Sequence, residues 1–396
     1  RYVTGSNAAG LVMGYYDTGK LPVYLYLHSH GAPNYVIADS FFHAAFGGSF
    51  LNHQWLIAAA MPEFTDAIDD GSANDLHTVV DENGMPADTR APLYKSQSGT
   101  AGTDRTKPLL TVSCNFPPPV KVACGNFAIN TIQPFYQPYR PRKAGTPESP
   151  RLPPLTNPTI GDRLSDAKID WAWYAGGWSN ANGDTGAPEW SNGPGPKCSD
   201  PQADPKAQFP NCPDNLFQYH HQPFNYYVKY APGTESRRDH LLDEEAFKRA
   251  ARDGILKPVS FVKPIGEANE HPGYASDTTG ETHLVDLISE IVNGPNGEDT
   301  LIIVTYDEFG GWWDHVPPPQ FRPNGENSAH DPWGPGTRVP ALLIAKKFRQ
   351  SAVGHSDYDT TSILKLIEER FHLEPLGSRD KDVQSLNTAL ETAGVN

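Results

Sequence analysis

The chain has 396 residues with 32 Lys+Arg against 47 Asp+Glu, a formal net charge of -15 and an isoelectric point of about 5.3. That length suits one large α/β domain or two smaller ones, and so acidic a surface speaks against nucleic acid or anionic lipid as a partner. Mean hydropathy is -0.53, and no apolar run approaches the roughly 20 residues of a membrane span, so no transmembrane segment is expected.

In chain order, AAGLVMGYYDT (residues 8–18) predicts a short helix ending near Gly14, and LPVYLYLHSH (21–30) is an apolar run closed by two histidines. Residues 35–59 predict a strand, the small-residue turn FGGSF, and a helix opening at about Ser49. Residues 85–160 read as irregular, with strands broken by proline. A helix is expected from near Gly161-Asp162, then a strand with alternating Trp171 and Trp173 before Gly176-Gly177, then loop over 180–215. HLLDEEAFKRAARDG (240–254) reads as one helix, acidic early, basic late, with Gly254 as its stop. A strand follows in LKPVSFVKPIGEANEHPG (256–273), and a helix over 282–294 ends at Gly294. LIIVTYDEFGG (301–311) is a continuous apolar run of the kind buried in parallel sheets. Another strand is expected over 338–345, and a helix over 357–373 with Asp359 as N-cap. Strand and helix alternate, so the class is α/β with a mainly parallel or mixed sheet. The 38 prolines and 35 glycines are spread through long loops. The organisation expected is a single domain over 1–396 with large insertions at about 85–158 and 179–235.

Four cysteines fall in two close pairs, Cys114 with Cys124 and Cys198 with Cys212, each pair flanking a proline-containing loop. Neither pair has CxxC spacing, and two local disulfides are the simplest of the three connectivities. That implies an oxidising compartment, periplasmic or extracellular. Free thiols in a cytosolic protein are the alternative.

Three constellations carry chemistry. Asp307-Glu308 stands at the end of an apolar strand, where α/β proteins gather ligands. Gly310-Gly311 frees the backbone so that both carboxylates can face one point, and such oxygens suit a hard cation or zinc. Ser49 follows two glycines and opens a helix, a setting for a nucleophile whose anionic product would sit at the helix N-terminus. The pattern is not GxSxG, so the α/β-hydrolase elbow is not matched. His220-His221, and His271 in a loop after a strand, could bind phosphate or metal or move a proton. A hydroxyl nucleophile, a carboxylate pair for a metal and several imidazole donors are what phosphoester hydrolysis needs.

The segment YDEFGGWWDHVPPP (306–319) resembles the signature of the bacterial phospholipase C and acid phosphatase family of phosphoesterases, within the alkaline phosphatase-like superfamily. The resemblance continues in order through TGSNAAGLVMGYYD (4–17), FGGSFLNHQWL (46–56), TIGDRL and WYAGGW (159–178), HHQPF (220–224), SFVKPIGEANEHPG (260–273), GPGTRVPALLIA (334–345) and YDTTSILKLIEERF (358–371). It implies a three-layer sandwich, with a central mainly parallel sheet flanked by helices and long Pro/Gly-rich loop insertions. It implies Ser49 as nucleophile, Asn52 holding the phosphate, and His220, His221 and His271 lining the phosphate site. It implies Asp307 and Glu308 as ligands, with the Ser49 oxygen, of one divalent metal ion, Ca, Zn or Fe. No catalytic role extends to Asp314 or His315. The family pattern begins with a strand and an ENRSFD-like motif that completes the metal shell. Arg1 already lies inside the region that follows, so an associated N-terminal fragment of the same precursor is one expectation, and a defective site is another.

The leading expectation is a secreted or periplasmic metal-dependent acid phosphatase acting on phosphomonoesters through a phosphoserine at Ser49. The GGSFLNH context favours that branch. A phospholipase C acting on glycerophospholipid diesters is the alternative, with Trp312, Trp313, Tyr226 and Tyr227 as candidate aromatics for a choline head group. A third reading is an inactive binding protein that lacks half its metal site. Sulfatase chemistry is not expected, because the cysteine segment that yields formylglycine is absent.

Overall fold

The computed structural model describes residues 17–60, 62, 137–139, 153–184, 217–271, 275–312, 314–321, 329–331 and 333–395. All four cysteines, Trp313, the short helix expected to end near Gly14 and nearly all of the stretch expected to be irregular over 85–160 lie outside these residues.

The LPVYLYL run folds as helix α1 (Pro22–Leu27), with Pro22 in the first turn, where a missing N–H costs nothing. Strands β1 (Tyr35–Ala38) and β2 (Phe41–Phe42) lead into the glycine turn and helix α2 (Ser49–Ala58). Every residue of α2 except Leu56 is buried, so this helix has almost no solvent face. Helix α3 (Ile160–Asp166) starts one residue before the expected point. The Thr159 hydroxyl accepts from the Asp162 N–H, and the Thr159 N–H donates to the Asp162 carboxylate at 2.7 Å, closing a capping box. Strand β3 (Trp171–Ala175) is buried along its whole length and is followed by α4 (Trp178–Asn182).

The segment 240–254 departs from the single helix expected there. After α5 (Glu235–His240), Leu241–Asp243 forms strand β4, and helix α6 (Glu244–Asp253) starts only then. Two interactions override the helical pattern. Leu241 pairs in parallel with Trp173 of β3, and Asp243 accepts from the N–H groups of Ser179 at 2.8 Å and Glu245 at 3.2 Å, which makes it the N-cap. Gly254 ends α6 at φ +73°, as expected. Strand β5 (Val259–Lys263) and helix α7 (Asp277–Asn293), capped by Ser276, follow. Then come β6 (Ile302–Thr305), β7 (Ala341–Ile344), β8 (Ala352–Gly354), β9 (Tyr358–Asp359), α8 (Thr361–Phe371), α9 (Ser378–Asp382) and α10 (Asn387–Thr392).

The fold is α/β, with strands in three sheets among the described residues: β6-β7-β1-β8, β4-β3-β5 and β2-β9. The second and third are wholly parallel. The first is mixed, because β7 runs antiparallel to both β1 and β6. The apolar run at β6 therefore has a different cause from the one expected. Among the described residues it has one neighbour, β7, and is half-buried rather than central. It is apolar because both faces are covered. Ile302 and Val304 join the cluster holding Val23, Leu27, Ile288 and Val292, while Ile303 joins the one holding Val36, Leu343 and Leu366.

Helices cover both faces of both larger sheets. Helix α7 bridges them on one side, with Ile288 and Val292 clustered with Leu342 and Ile344, and Leu287 and Ile291 clustered with Ala172 and Tyr174. On the other side α2 and α3 lie against Trp171, Trp173 and Ala175, and α8 and α10 lie against Val36 and Leu343.

Arg379 of α9 ties the C-terminal region to this core. It is buried, donates from Nε to Asp331 Oδ2 at 2.9 Å, pairs again with Asp331 through Nη2, and donates to the Ala44 carbonyl. Its guanidinium lies 4.0 Å from the Trp55 ring centroid, and its Nη1 is 3.8 Å from buried Asp359. Removing one partner of a buried ion network leaves the others uncompensated, at a cost of about 3–5 kcal/mol. Arg379→Met should therefore lower folding stability by about that amount in urea titrations, and a change within ordinary surface-mutation scatter would show that the network contributes little.

Candidate active site

The turn before α2 is bound on every side. Phe46 N–H donates to the Trp333 carbonyl at 2.8 Å, and Gly336 N–H to the His43 carbonyl at 2.7 Å. From inside, Asn52 accepts from the Ala45 N–H at 2.9 Å, and its amide nitrogen reaches the carbonyls of Ala45, Gly47 and Gly48 at 3.0–3.2 Å. The side chain that the resemblance assigns to phosphate thus braces the turn before Ser49. His43 packs behind it, with Nδ1 3.3 Å from Asn52 Oδ1 and its ring stacked on Phe309. Gly336 leaves room for that ring, since a Cβ there would stand 2.3 Å from His43.

Ser49 begins α2 and is 4% exposed. Its hydroxyl donates to Glu308 Oε1 at 3.3 Å. The structure therefore brings the Ser49 turn and the carboxylate pair at the end of β6 to one place. Gly310 and Gly311, at φ +63° and +80°, take conformations that favour glycine, and the Gly310 N–H holds Glu308 Oε2 at 2.7 Å. Burial works to raise the Asp307 pKa, but Lys263 foremost, then His53, hold it below the ordinary carboxylate range. Lys263 Nζ, from the end of β5, lies 3.3 Å from Asp307 Oδ1. Glu308 goes the other way. Burial, and then the neighbouring Asp307 charge, raise it to about 7.

His220 and His221 sit in a buried 3-10 turn over Tyr219–His221. The Trp173 indole N–H donates to the His221 carbonyl at 2.6 Å and fixes that turn to β3. His53 stacks on His221 with ring centroids 5.5 Å apart and meets His220 edge-on at 5.8 Å. Its Nδ1 is 2.7 Å from the Ser49 carbonyl. A carbonyl only accepts, so that nitrogen carries the proton. Burial lowers all three imidazoles, His53 to about 4 with Lys263 adding to the effect. His271 is close enough to press electrostatically on both His220 and His221. Its loop is set by Glu270, a non-glycine residue at φ +62°, whose carboxylate accepts from Tyr306, the residue before Asp307.

Sequence reading missed three of these groups. His53 was legible in principle, one helical turn after Ser49 on the same face. Lys263 ends a strand, as Asp307 follows one. His43 carries no local signal. Two candidate aromatics are removed from the mouth of the site. Tyr226 is buried against Phe50, and Tyr227 is buried with its hydroxyl on Gln54 at 3.0 Å. Trp312 is 55% exposed. Asp314 forms a double contact with Arg338, at 3.0 and 3.3 Å, in keeping with a structural role.

Among the described residues, no three His, Cys, Asp or Glu side chains converge as a ready cation shell. The donors at Asp307-Glu308 nevertheless fit a hard cation. Asp307 Oδ2 is buried without a hydrogen-bond partner, 3.5 Å from His53, and an orphaned buried carboxylate oxygen is costly unless something takes its charge.

A family model described as the Phosphoesterase family matches residues 1–374. Phospholipase C B of Mycobacterium tuberculosis is 35% identical over 141 residues, 32% of this chain and 27% of that protein. Non-hemolytic phospholipase C of Burkholderia pseudomallei is 30% identical over 146 residues, 32% of this chain and 21% of that protein. The matched stretch thus spans about a quarter of these relatives' length. A solved structure of Ps i-CgsB in complex with k-i-k-neocarrahexaose aligns at a TM-score of 0.29 and 14% identity, over 63% of this chain and 60% of that one, a likeness too weak to inform the fold.

Burial lowers the His43 pKa from 6.5 to about 4. Between those values the unfolded chain takes up a proton that the folded chain does not, so the stability tied to neutral His43 is complete above the unfolded value and is lost as pH falls toward about 4. His43→Gln cannot titrate. Its deficit against wild type should shrink by about 1.4 kcal/mol per pH unit across that window in urea midpoints. A deficit independent of pH would show that the fold does not hold His43 neutral.

Proposed function

The chain belongs to the Phosphoesterase family, and from that premise we propose that it hydrolyses phosphoric esters with Ser49 as nucleophile. The observation that carries this reading is the Ser49 hydroxyl at the start of a buried helix, 3.3 Å from a carboxylate of the Asp307-Glu308 pair. Ser49 Oγ attacks phosphorus, the ester oxygen leaves, and water then cleaves the phosphoserine. Asp307, Glu308 and the Ser49 oxygen would hold one divalent ion, Ca, Zn or Fe. Bound there, such an ion would offset phosphoryl charge and favour the serine alkoxide. His220 and His221 donate to non-bridging oxygens, Asn52 keeps the turn in place, and His271 gives the proton to the leaving alcohol.

The finer reading is an acid phosphatase acting on monoesters. Its support is that burial keeps the histidine cluster neutral well into the acid range, His53 down to about 4, so those imidazoles keep one charge state at acid pH while Glu308, raised to about 7, takes up a proton. The cysteine pairs support a secreted or periplasmic location. A phospholipase C is the second reading, favoured by what the relatives are called and by the exposed Trp312 four residues after Glu308. For the fold, we propose that the two larger sheets form the central layer of one three-layer, alkaline phosphatase-like sandwich. The shared helix α7 and the meeting of the β5 and β6 ends at Lys263 and Asp307 support it.

The test is hydrolysis of p-nitrophenyl phosphate beside p-nitrophenylphosphorylcholine, from about pH 4 to about pH 9, with and without EDTA. The monoester should be preferred at acid pH and activity lost to chelator. Ser49→Ala and Asp307→Asn should each lower kcat by about three orders of magnitude or more. Preference for the choline diester would assign the chain to the second reading, and full turnover by Ser49→Ala would remove the nucleophile from both.

A further inference from the structure

Lys263 is assigned no role by the family resemblance, yet it stands at the centre of the site's charge. Its side chain is 17% exposed, at the end of β5, with Nζ 3.3 Å from Asp307 Oδ1. On the other carboxylate oxygen, His53 Nδ1 lies 3.5 Å from Asp307 Oδ2, and Glu308, His43 and His220 are also near enough to act on Asp307. A phosphate ester would carry one or two negative charges to a place that already holds a buried aspartate, in a chain of net charge -15. A lysine within 3.3 Å of that aspartate is placed to balance it. A lysine ammonium is a compact point charge with three donors, so contact with Asp307 leaves donors for a second anion.

We propose that Lys263 is the anion-binding residue of the site, its ammonium shared between Asp307 and a phosphoryl oxygen of the substrate. The same geometry makes it a competitor of any divalent ion at Asp307. This rests on the phosphoester hydrolase reading and adds a residue to it. The two roles have opposite signs when the charge is removed. Lys263→Met loses the partner of the phosphoryl oxygen, so anion affinity falls. It also removes a positive charge beside Asp307, so cation affinity rises. A lysine that only supports the fold would weaken both.

The experiment is calorimetric titration of chelator-treated protein with inorganic phosphate and, separately, with Ca²⁺ and Zn²⁺, for wild type, Lys263→Met and Lys263→Arg, each checked for folding by circular dichroism. Lys263→Met should bind phosphate about tenfold or more weakly and the cations about tenfold more tightly, a tenfold change being about 1.4 kcal/mol. Lys263→Arg, which keeps the charge, should bind phosphate within about threefold of wild type. If Lys263→Met does not fold, Lys263→Gln makes the same comparison. Phosphate affinity unchanged in a folded neutral variant, or a joint loss of phosphate and cation affinity, would overturn the proposal. Wild-type protein that binds no phosphate and cleaves neither ester would instead bring down the hydrolase reading beneath it, a different result from a variant that binds as wild type does.

Discussion

The buried charge of Asp307 sets the terms for everything around it. A carboxylate taken out of water needs a partner or it neutralises. Lys263 supplies that partner from the neighbouring strand end. One charge held in this way imposes a second condition on the next residue. Glu308, beside it and also buried, is pushed toward its protonated form, so the pair is asymmetric although its members are chemically alike. The histidines then fall into line. Lys263 adds to burial in keeping His53 and His221 unprotonated, and their rings pack as apolar bodies with polar edges.

The second constraint is mechanical. A helix buried almost all round needs its ends fixed by something other than solvent. At the start of α2 the fixing comes from three distant parts of the chain. Asn52 braces the turn from within, the segment around Trp333 and Gly336 bonds it from one side, and Arg379 holds the Ala44 carbonyl from α9. Arg379 lies beyond the stretch matched by the family model, which ends at residue 374. The C-terminal region is thus coupled to the Ser49 turn through hydrogen bonds and an ion network, beside the packing of Leu386, Ala389 and Ala393 into the core around Val36.

Much of this was legible in the sequence, and the rest was hidden for physical reasons. Glycine-serine turns and acidic residues at strand ends are local signals, so Ser49, Asp307 and Glu308 stood out, and the structure brings them together. The helix boundaries at Gly254 and Gly294 were legible because glycine marks them. The break at Leu241–Asp243 was not, since the competing partner for those residues is β3, about seventy positions earlier in the chain. The antiparallel neighbour of β6 was hidden likewise, because an apolar run reports that both faces are covered and says nothing of which strand lies alongside. Lys263 escaped notice because a lysine in a strand reads as a solvated edge, and only the approach of β5 to the end of β6 gives it a counter-charge.

The burial of α2 has a consequence for how long the site persists. Backbone segments with a solvent face can open locally at small cost, while those enclosed by core open only when the core does. Nine of the ten residues of α2 are buried, among them Ser49. The serine then has no private route out of position, and its residence in place is set by the lifetime of the folded chain as a whole. Displacement of Ser49 and global unfolding become one event.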